Sequence, residues 1–183
     1  MPGSATRRRE TFLAFSRPHI GEEEIREVAD CLRSGWITTG PRTERFEKDF
    51  AAYVGAKHAV ALSSGTAALH CAYEAIGVGP GDEVILPSLT WPATASMAMV
   101  LGATPVFADI DPVTWQIDPA DAKRKVTPRT KAIAPVHFAG APADLDALRA
   151  LGLPLVEDAA HAVGTEYKGR RIGGGATAAT FSF

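Results

Sequence analysis

Several features that mark large protein classes are missing from this sequence, and each absence narrows the reading. No apolar run approaches the ~20 residues of a membrane-spanning helix. The 183 residues include two cysteines, Cys31 and Cys71, in helix-like segments without CxxC spacing. That excludes a disulfide scaffold and a thiolate zinc site, and both are read as buried thiols of a reducing cytoplasm. Basic residues are not in excess: 19 Lys and Arg against 21 Asp and Glu give a net charge of −2. Such a chain has no field for sequence-independent nucleic-acid binding, so any phosphate must be held by local groups. Arg7, Arg8 and Arg9 precede only the short apolar stretch Phe12 to Phe15 before Ser16-Arg17-Pro18, which is too brief for an export leader. Internal repeats, low-complexity tracts and long linkers are also missing.

What is present is an ordinary globular composition, with 46% apolar and 22% charged residues. Glu22 to Arg33 sets Ile25, Val28, Ala29 and Leu32 on one helical face, and Arg42 to Tyr53 does the same with Phe46, Phe50 and Tyr53. Both are expected to pack through those faces. From His58 onward, strand-length apolar runs alternate with helical patterns: Ala59 to Leu62 before Thr66 to Ile76, Glu83 to Leu86 before Pro92 to Leu101, and Pro105 to Ala108 before Pro119 to Lys125. Lys131 to His137, Ala143 to Leu151 and Pro154 to Glu157 continue the series. Repeated β-then-α order predicts an α/β fold, a mostly parallel sheet with helices on both faces. A flexible tail over 1–14 and one domain over 15–183 is the economical division.

In such sheets ligands sit at the carboxyl ends of the strands, and four stretches there carry chemistry. In ALSSGTAALH, a strand runs through Ser63-Ser64-Gly65 into a helix, which offers free backbone N–H groups, hydroxyls and a positive dipole end to an anion. A Ser N-cap on a tight turn would need the same residues. In PSLTWPAT, Trp91 stands at a strand mouth, where an indole stacks on a planar ligand or joins the core. In LPLVEDAAHAVG, an apolar strand delivers Glu157 and Asp158 to its end, followed by His161. A carboxylate in such a place needs a cation or donors. The protonated ring nitrogen of pyridoxal phosphate would satisfy Asp158, and so would a turn or helix that it caps. His161 is a ligand contact or a hydrogen-bonded structural histidine. In the terminal TFSF, Ser182 is a second phosphate donor or a polar residue on a strand. A metal set built from Asp158, His161 and His137 is a rival reading, although no water-activating base accompanies it.

Together SGWITTGP, SSGTAALH, PGDEVILPSLTW, GATPVFADIDP, TPRTKAI, PVHFAGAPADLDALRALG, EDAAHAVGTEYKGRRIG and FSF closely resemble the sugar-nucleotide aminotransferases of the DegT/DnrJ/EryC1/StrS family, from about Phe15 onward. The resemblance implies the large domain of a fold-type-I enzyme dependent on pyridoxal 5′-phosphate (PLP), working as a cytoplasmic homodimer. It implies that Gly65 and Thr66 bind the cofactor phosphate with help from Ser182, and that Trp91 stacks on the ring. Asp158 would pair with the ring nitrogen, and His161, where many relatives have Gln, would lie near the phenolic oxygen. Ser34 to Pro41 would line the substrate side. No metal is implied.

The substrates implied are a nucleotide sugar with glutamate and 2-oxoglutarate as the amino couple. Within the family, SGWITTGP, PSLTW, HFAGAPAD and EDAAHAVGTEYKGR look most like members that make UDP-4-amino-4-deoxy-L-arabinose for lipid A modification, and Thr177 fits that subgroup. Members acting on other nucleotide-linked keto-sugars share much of this vocabulary. Relatives continue past FSF to the Schiff-base lysine, and none of Lys48, Lys57, Lys123, Lys125, Lys131 and Lys168 lies in the matching context. The chain is therefore expected to be an N-terminal fragment, inactive alone. A non-catalytic product is the alternative.

Overall fold

The computed structural model describes residues 11–12 and 17–183. Most of the tail expected over 1–14 lies outside the described residues. The chain divides into two compact units, 1–42 and 43–183.

In the first unit, helix α1 (Glu22–Ser34) carries Glu22, Glu23 and Glu24 in its first turn and Arg33 in its last, both favourable to the helix dipole. Gly35 ends it at φ 72°, a left-handed value that suits glycine. None of its residues is buried, and Ile25, Val28 and Leu32 are exposed. The expected packing of that face is thus not met among the described residues of this unit. Beyond α1 the chain closes a local turn in which the Trp36 Nε1–H donates to the Thr39 carbonyl at 2.9 Å. A Cβ on Gly40 would fall 2.2 Å from that Nε1, so only glycine fits beneath the indole. Helix α2 (Pro41–Val54) leads into the second unit, where Phe50 meets the Phe181 ring edge-on at 5.0 Å and Arg171 covers the Tyr53 ring at 3.9 Å.

The second unit continues with α3 (Gly65–Ala75), β1 (Glu83–Pro87), α4 (Pro92–Val100), β2 (Thr104–Ala108), α5 (Pro119–Arg124) and β3 (Thr130–Ile133). After a short 3₁₀ turn at Phe138–Gly140 come α6 (Leu145–Arg149), β4 (Val156–Asp158), β5 (Glu166–Tyr167), β6 (Arg170–Arg171) and β7 (Ala178–Thr180). Strands β2, β1 and β3 pair in parallel in that order. Parallel bridges Ile133 to Leu155 and Val136 to Asp158 carry the pairing on to β4, which pairs in parallel with β7. The expected parallel α/β sheet is what forms.

Alternation along the strands sorts the core into two layers. Val84, Leu86, Ala134 and Val156 pack with Leu69, Tyr73 and Ala98 of α3 and α4. Ile85, Ile133 and Leu155 pack with Ala122, Leu145 and Leu148 of α5 and α6 on the other side. The connection after β1 therefore lies on one face and that after β3 on the other, so the crevice between these neighbouring strands opens at their carboxyl ends.

Two expectations are corrected. Ala59 to Leu62 is not a strand: no neighbouring strand accepts its amides, the Ala61 N–H donates to the Glu47 carboxylate at 2.8 Å, and Val60 is 74% exposed. Cys71 is exposed and Cys31 half-buried, both as free thiols: Cys71 lies on the side of α3 opposite the buried Leu69 and Tyr73, and the Cys31 thiol donates to the Trp36 carbonyl at 3.4 Å. The hairpin of β5 and β6 was not expected. Its two-residue turn places Lys168 at φ 49° and Gly169 at φ 77°, the pair of left-handed residues that a type I′ turn requires.

The outer strand β2 is protected by side chains. Lys125 Nζ donates to the Phe107 carbonyl at 2.7 Å and pairs with Asp121 at 2.8 Å. The Lys125 ammonium, with the Asp109 N–H at 2.7 Å, lowers the Asp121 carboxyl from its ordinary 3.8 to about 2. A depressed folded-state value means that this stabilisation is complete above about pH 4 and is lost as pH falls through 2. Urea midpoints measured between pH 5 and pH 2 are expected to fall less steeply in Asp121→Asn than in the parent chain.

Candidate active site

The predicted residues are carried to one edge of the sheet. Asp158 is the last residue of β4, Trp91 lies four residues past the end of β1, and Ser182 lies two past the end of β7. Gly65 opens α3, and a Cβ added to it would stand 3.3 Å from Ser182 Cβ, so the α3 N-terminus and Ser182 are immediate neighbours. Thr180 is paired with Asp158 across β7 and β4, which ties Ser182 to the carboxylate through two residues of strand.

The SSGT turn is built as a helix start. Ser64 is the N-cap and its Oγ accepts from the Ala67 N–H at 3.1 Å, while the Ala68 N–H makes the first intrahelical bond. The N–H groups of Gly65 and Thr66 precede that bond and are presented outward, as the first amides of any helix are. Capping and anion binding are thus compatible in one turn. Thr66 is exposed, as is Ser182.

Asp158 is 5% exposed, and its strand end is held on both sides. Its N–H donates to the Pro135 carbonyl at 2.8 Å, its carbonyl accepts from the His137 N–H at 3.0 Å, and the next N–H, of Ala159, donates to Thr180. Of its carboxylate oxygens, Oδ2 accepts from Thr94 Oγ1 at 2.7 Å, whereas Oδ1 has only the Ala160 N–H at 3.3 Å. The Tyr73 hydroxyl donates to the Thr94 carbonyl at 2.9 Å. Burial, reinforced by the charge of Asp158, raises the Tyr73 phenol well above its ordinary 10.0 and keeps it a neutral donor.

Trp91 is 76% exposed, so the core placement is ruled out; its ring is left open to a partner. His161 is exposed, and its Nδ1 accepts from the Ala139 N–H at 3.3 Å, with the Phe138 ring edge 5.9 Å away between centroids. An accepting Nδ1 leaves the ring hydrogen on Nε2. His137 is fully buried, with Nδ1 accepting from the Ala143 N–H at 3.1 Å and Nε2 facing Glu157 Oε2 at 3.3 Å. Both of its nitrogens are committed, so it is no metal ligand. Among the described residues no group of three His, Cys, Asp or Glu is placed to hold a metal ion. Thr94, Thr90 and Tyr73 were missed from the sequence, where nothing separates Thr94 and Tyr73 from ordinary helix residues or Thr90 from an ordinary loop residue.

A cleft of about 710 Å³ lies beside this edge, lined by Ser63, Ser64, Gly65, Ala178, Phe181 and Ser182 among others. Neither Trp91 nor Asp158 lines it, so it meets the candidate site at the SSGT turn and Ser182, the end assigned to the phosphate.

The fold defines an α/β unit with the architecture of the fold-type-I transferases. Residues 18–183 match the DegT/DnrJ/EryC1/StrS aminotransferase family, and the chain belongs to it. It is similar to S. venezuelae DesV, whose structure contains a ketimine intermediate, at 47% identity and TM-score 0.84 over 88% of this chain and 46% of that one. Spr1654 from Streptococcus pneumoniae, described as a sugar aminotransferase, matches at 40% identity and TM-score 0.90 over 93% of this chain and 48% of that one, and is known in PLP and PMP forms. DesI, solved in the presence of its TDP-sugar product, matches at 41% identity and TM-score 0.79 over 87% of this chain and 41% of that one. The chain spans about half the length of these solved structures.

Proposed function

We propose that the complete protein is a PLP-dependent aminotransferase that moves an amino group from glutamate to a 4-keto sugar nucleotide, and that this chain carries the cofactor-binding residues. The observation that carries the reading is Asp158: a buried carboxylate at a strand end with one oxygen engaged by Thr94 and the other nearly free. The residues suit the cofactor. A phosphate finds the Gly65 and Thr66 amides, the Thr66 hydroxyl and the neighbouring Ser182; a flat ring finds Trp91; a protonated ring nitrogen finds Asp158.

When bound, PLP supplies an electron sink for the pair released as the donor's Cα–H bond breaks. Asp158 keeps a proton on the ring nitrogen by offsetting its positive charge. Gly65 and Ser182 would hold the phosphate end, at a spacing where a Cβ at 65 would stand a tight 3.3 Å from Ser182 Cβ. Trp91 would stack on the ring, and His161 would offer its Nε2–H to the phenolic oxygen. Ser34 to Pro41 is assigned to the substrate side, and a homodimer is supported by the uncovered apolar face of α1.

The vocabulary of SGWITTGP, PSLTW, HFAGAPAD and EDAAHAVGTEYKGR supports UDP-4-keto-pentose as the acceptor, its product UDP-4-amino-4-deoxy-L-arabinose serving lipid A modification, and a cytoplasmic location beside the pools of glutamate and nucleotide sugar. The test incubates the complete protein with glutamate and UDP-4-keto-pentose and seeks the 4-amino sugar nucleotide by mass spectrometry. Amination of a different nucleotide-linked keto-sugar alone overturns the acceptor, and a PLP-loaded protein that aminates none overturns the reading. In the same protein, Trp91→Ala is expected to weaken PLP binding by about 10- to 100-fold, the worth of one stacked ring. An unchanged dissociation constant returns the indole to a surface role.

A further inference from the structure

Thr94 Oγ1 has one hydrogen, and it is given to Asp158 Oδ2 at 2.7 Å. The same oxygen lies 2.7 Å from Thr90 Oγ1, so in that contact Thr94 must accept and Thr90 must donate. The order Thr90 to Thr94 to Asp158 is thereby directed. Thr94 is fully buried and cannot exchange its partner for water. Its backbone is held twice: its N–H donates to the Trp91 carbonyl at 3.1 Å, and its carbonyl accepts from the buried Tyr73 hydroxyl at 2.9 Å. Thr90 and Trp91 are adjacent in the loop after β1 and Thr94 lies in the first turn of α4, so one loop-to-helix segment both presents the indole and sets the carboxylate.

We propose that Thr94, directed by Thr90, is a positioning residue that fixes the rotation of the Asp158 carboxylate, engaging Oδ2 and leaving Oδ1 for the nitrogen of a planar cationic ring. The ligand rests on the proposed function; the hydroxyl relay does not. The segment from Thr90 to Thr94 would thus set both the plane of the ring and the oxygen that faces its edge.

The test uses the 183-residue chain with ¹³C-labelled Asp and ¹⁵N amides. Thr94→Val keeps the shape of the side chain and removes the hydroxyl. It is expected to shift the Asp158 Cγ and Ala160 amide resonances while the Ile85 and Ile133 signals in the sheet stay in place. Thr94→Ser should restore both, and Thr90→Val, which leaves the buried site filled, should give a smaller shift of the same sign. An Asp158 Cγ resonance unmoved by Thr94→Val, or moved equally by Thr94→Ser, overturns the relay. A PLP titration of the same proteins forms the second arm, with affinity expected to drop about tenfold in Thr94→Val and to recover in Thr94→Ser. Should the parent chain take up no PLP while the resonances move as expected, the ligand assignment of the chain fails and the positioning role stands.

Discussion

Asp158→Asn in the complete enzyme is expected to lower the transamination rate by roughly 10²–10³-fold with little change in folding. An amide has nearly the shape of the carboxylate and can still accept the Thr94 hydroxyl hydrogen, so the strand end and its bonds to Pro135 and His137 persist. The lost element is the negative charge. Removing one partner of a water-poor ion pair costs about 3–5 kcal/mol, and under the proposed function that cost would fall on the charge of the cofactor ring. Steady-state kinetics with glutamate, beside circular dichroism and the absorption spectrum of the bound cofactor, measures it. Wild-type turnover with the cofactor retained would remove Asp158 from this role.

The second large effect is on stability. His137 is fully buried and joins the Ala143 N–H at 3.1 Å to Glu157 Oε2 at 3.3 Å. Glu157 is 1% exposed; its Oε1 has no hydrogen bond, and the nearest cation is Arg149 Nη2 at 3.6 Å. His137→Ala leaves a cavity, an orphaned amide and a carboxylate with a single distant cation. The expected loss is about 3–5 kcal/mol, a fall of the melting temperature on the order of 10 °C. In a double variant, His137→Leu with Glu157→Met, the melting temperature should lie above that of His137→Ala, because the uncompensated carboxylate is gone. A melting temperature unchanged in His137→Ala would show that Glu157 draws its compensation elsewhere.

Much of the fold could be read directly from the chain. Apolar runs of four or five residues broken by Gly and Pro placed β1, β2 and β4 within a residue or two, and the SSGT turn marked the start of α3, because these signals are local. Ala59 to Leu62 failed for a reason of the opposite kind: a strand exists only beside another strand, and its sequence carries no record of whether one is adjacent. The stripe on α1 was equally legible as a stripe, yet no local pattern states what covers it.

The same division runs through the site. The sequence by itself determined the residue types at or just past the strand ends, Trp91, Asp158 and His161, and the glycine of the tight turn that begins α3, since each follows from spacing along a single element. Only the tertiary structure decided that Thr94, 64 positions from Asp158, gives it a hydrogen, and that His137 pairs with Glu157 instead of facing a ligand. The physical reason is that a hydroxyl or an imidazole acts on whatever lies within about 3 Å of it. Parallel strands joined by crossover helices bring together groups from distant parts of the chain, so their partners are settled by the packing of the sheet.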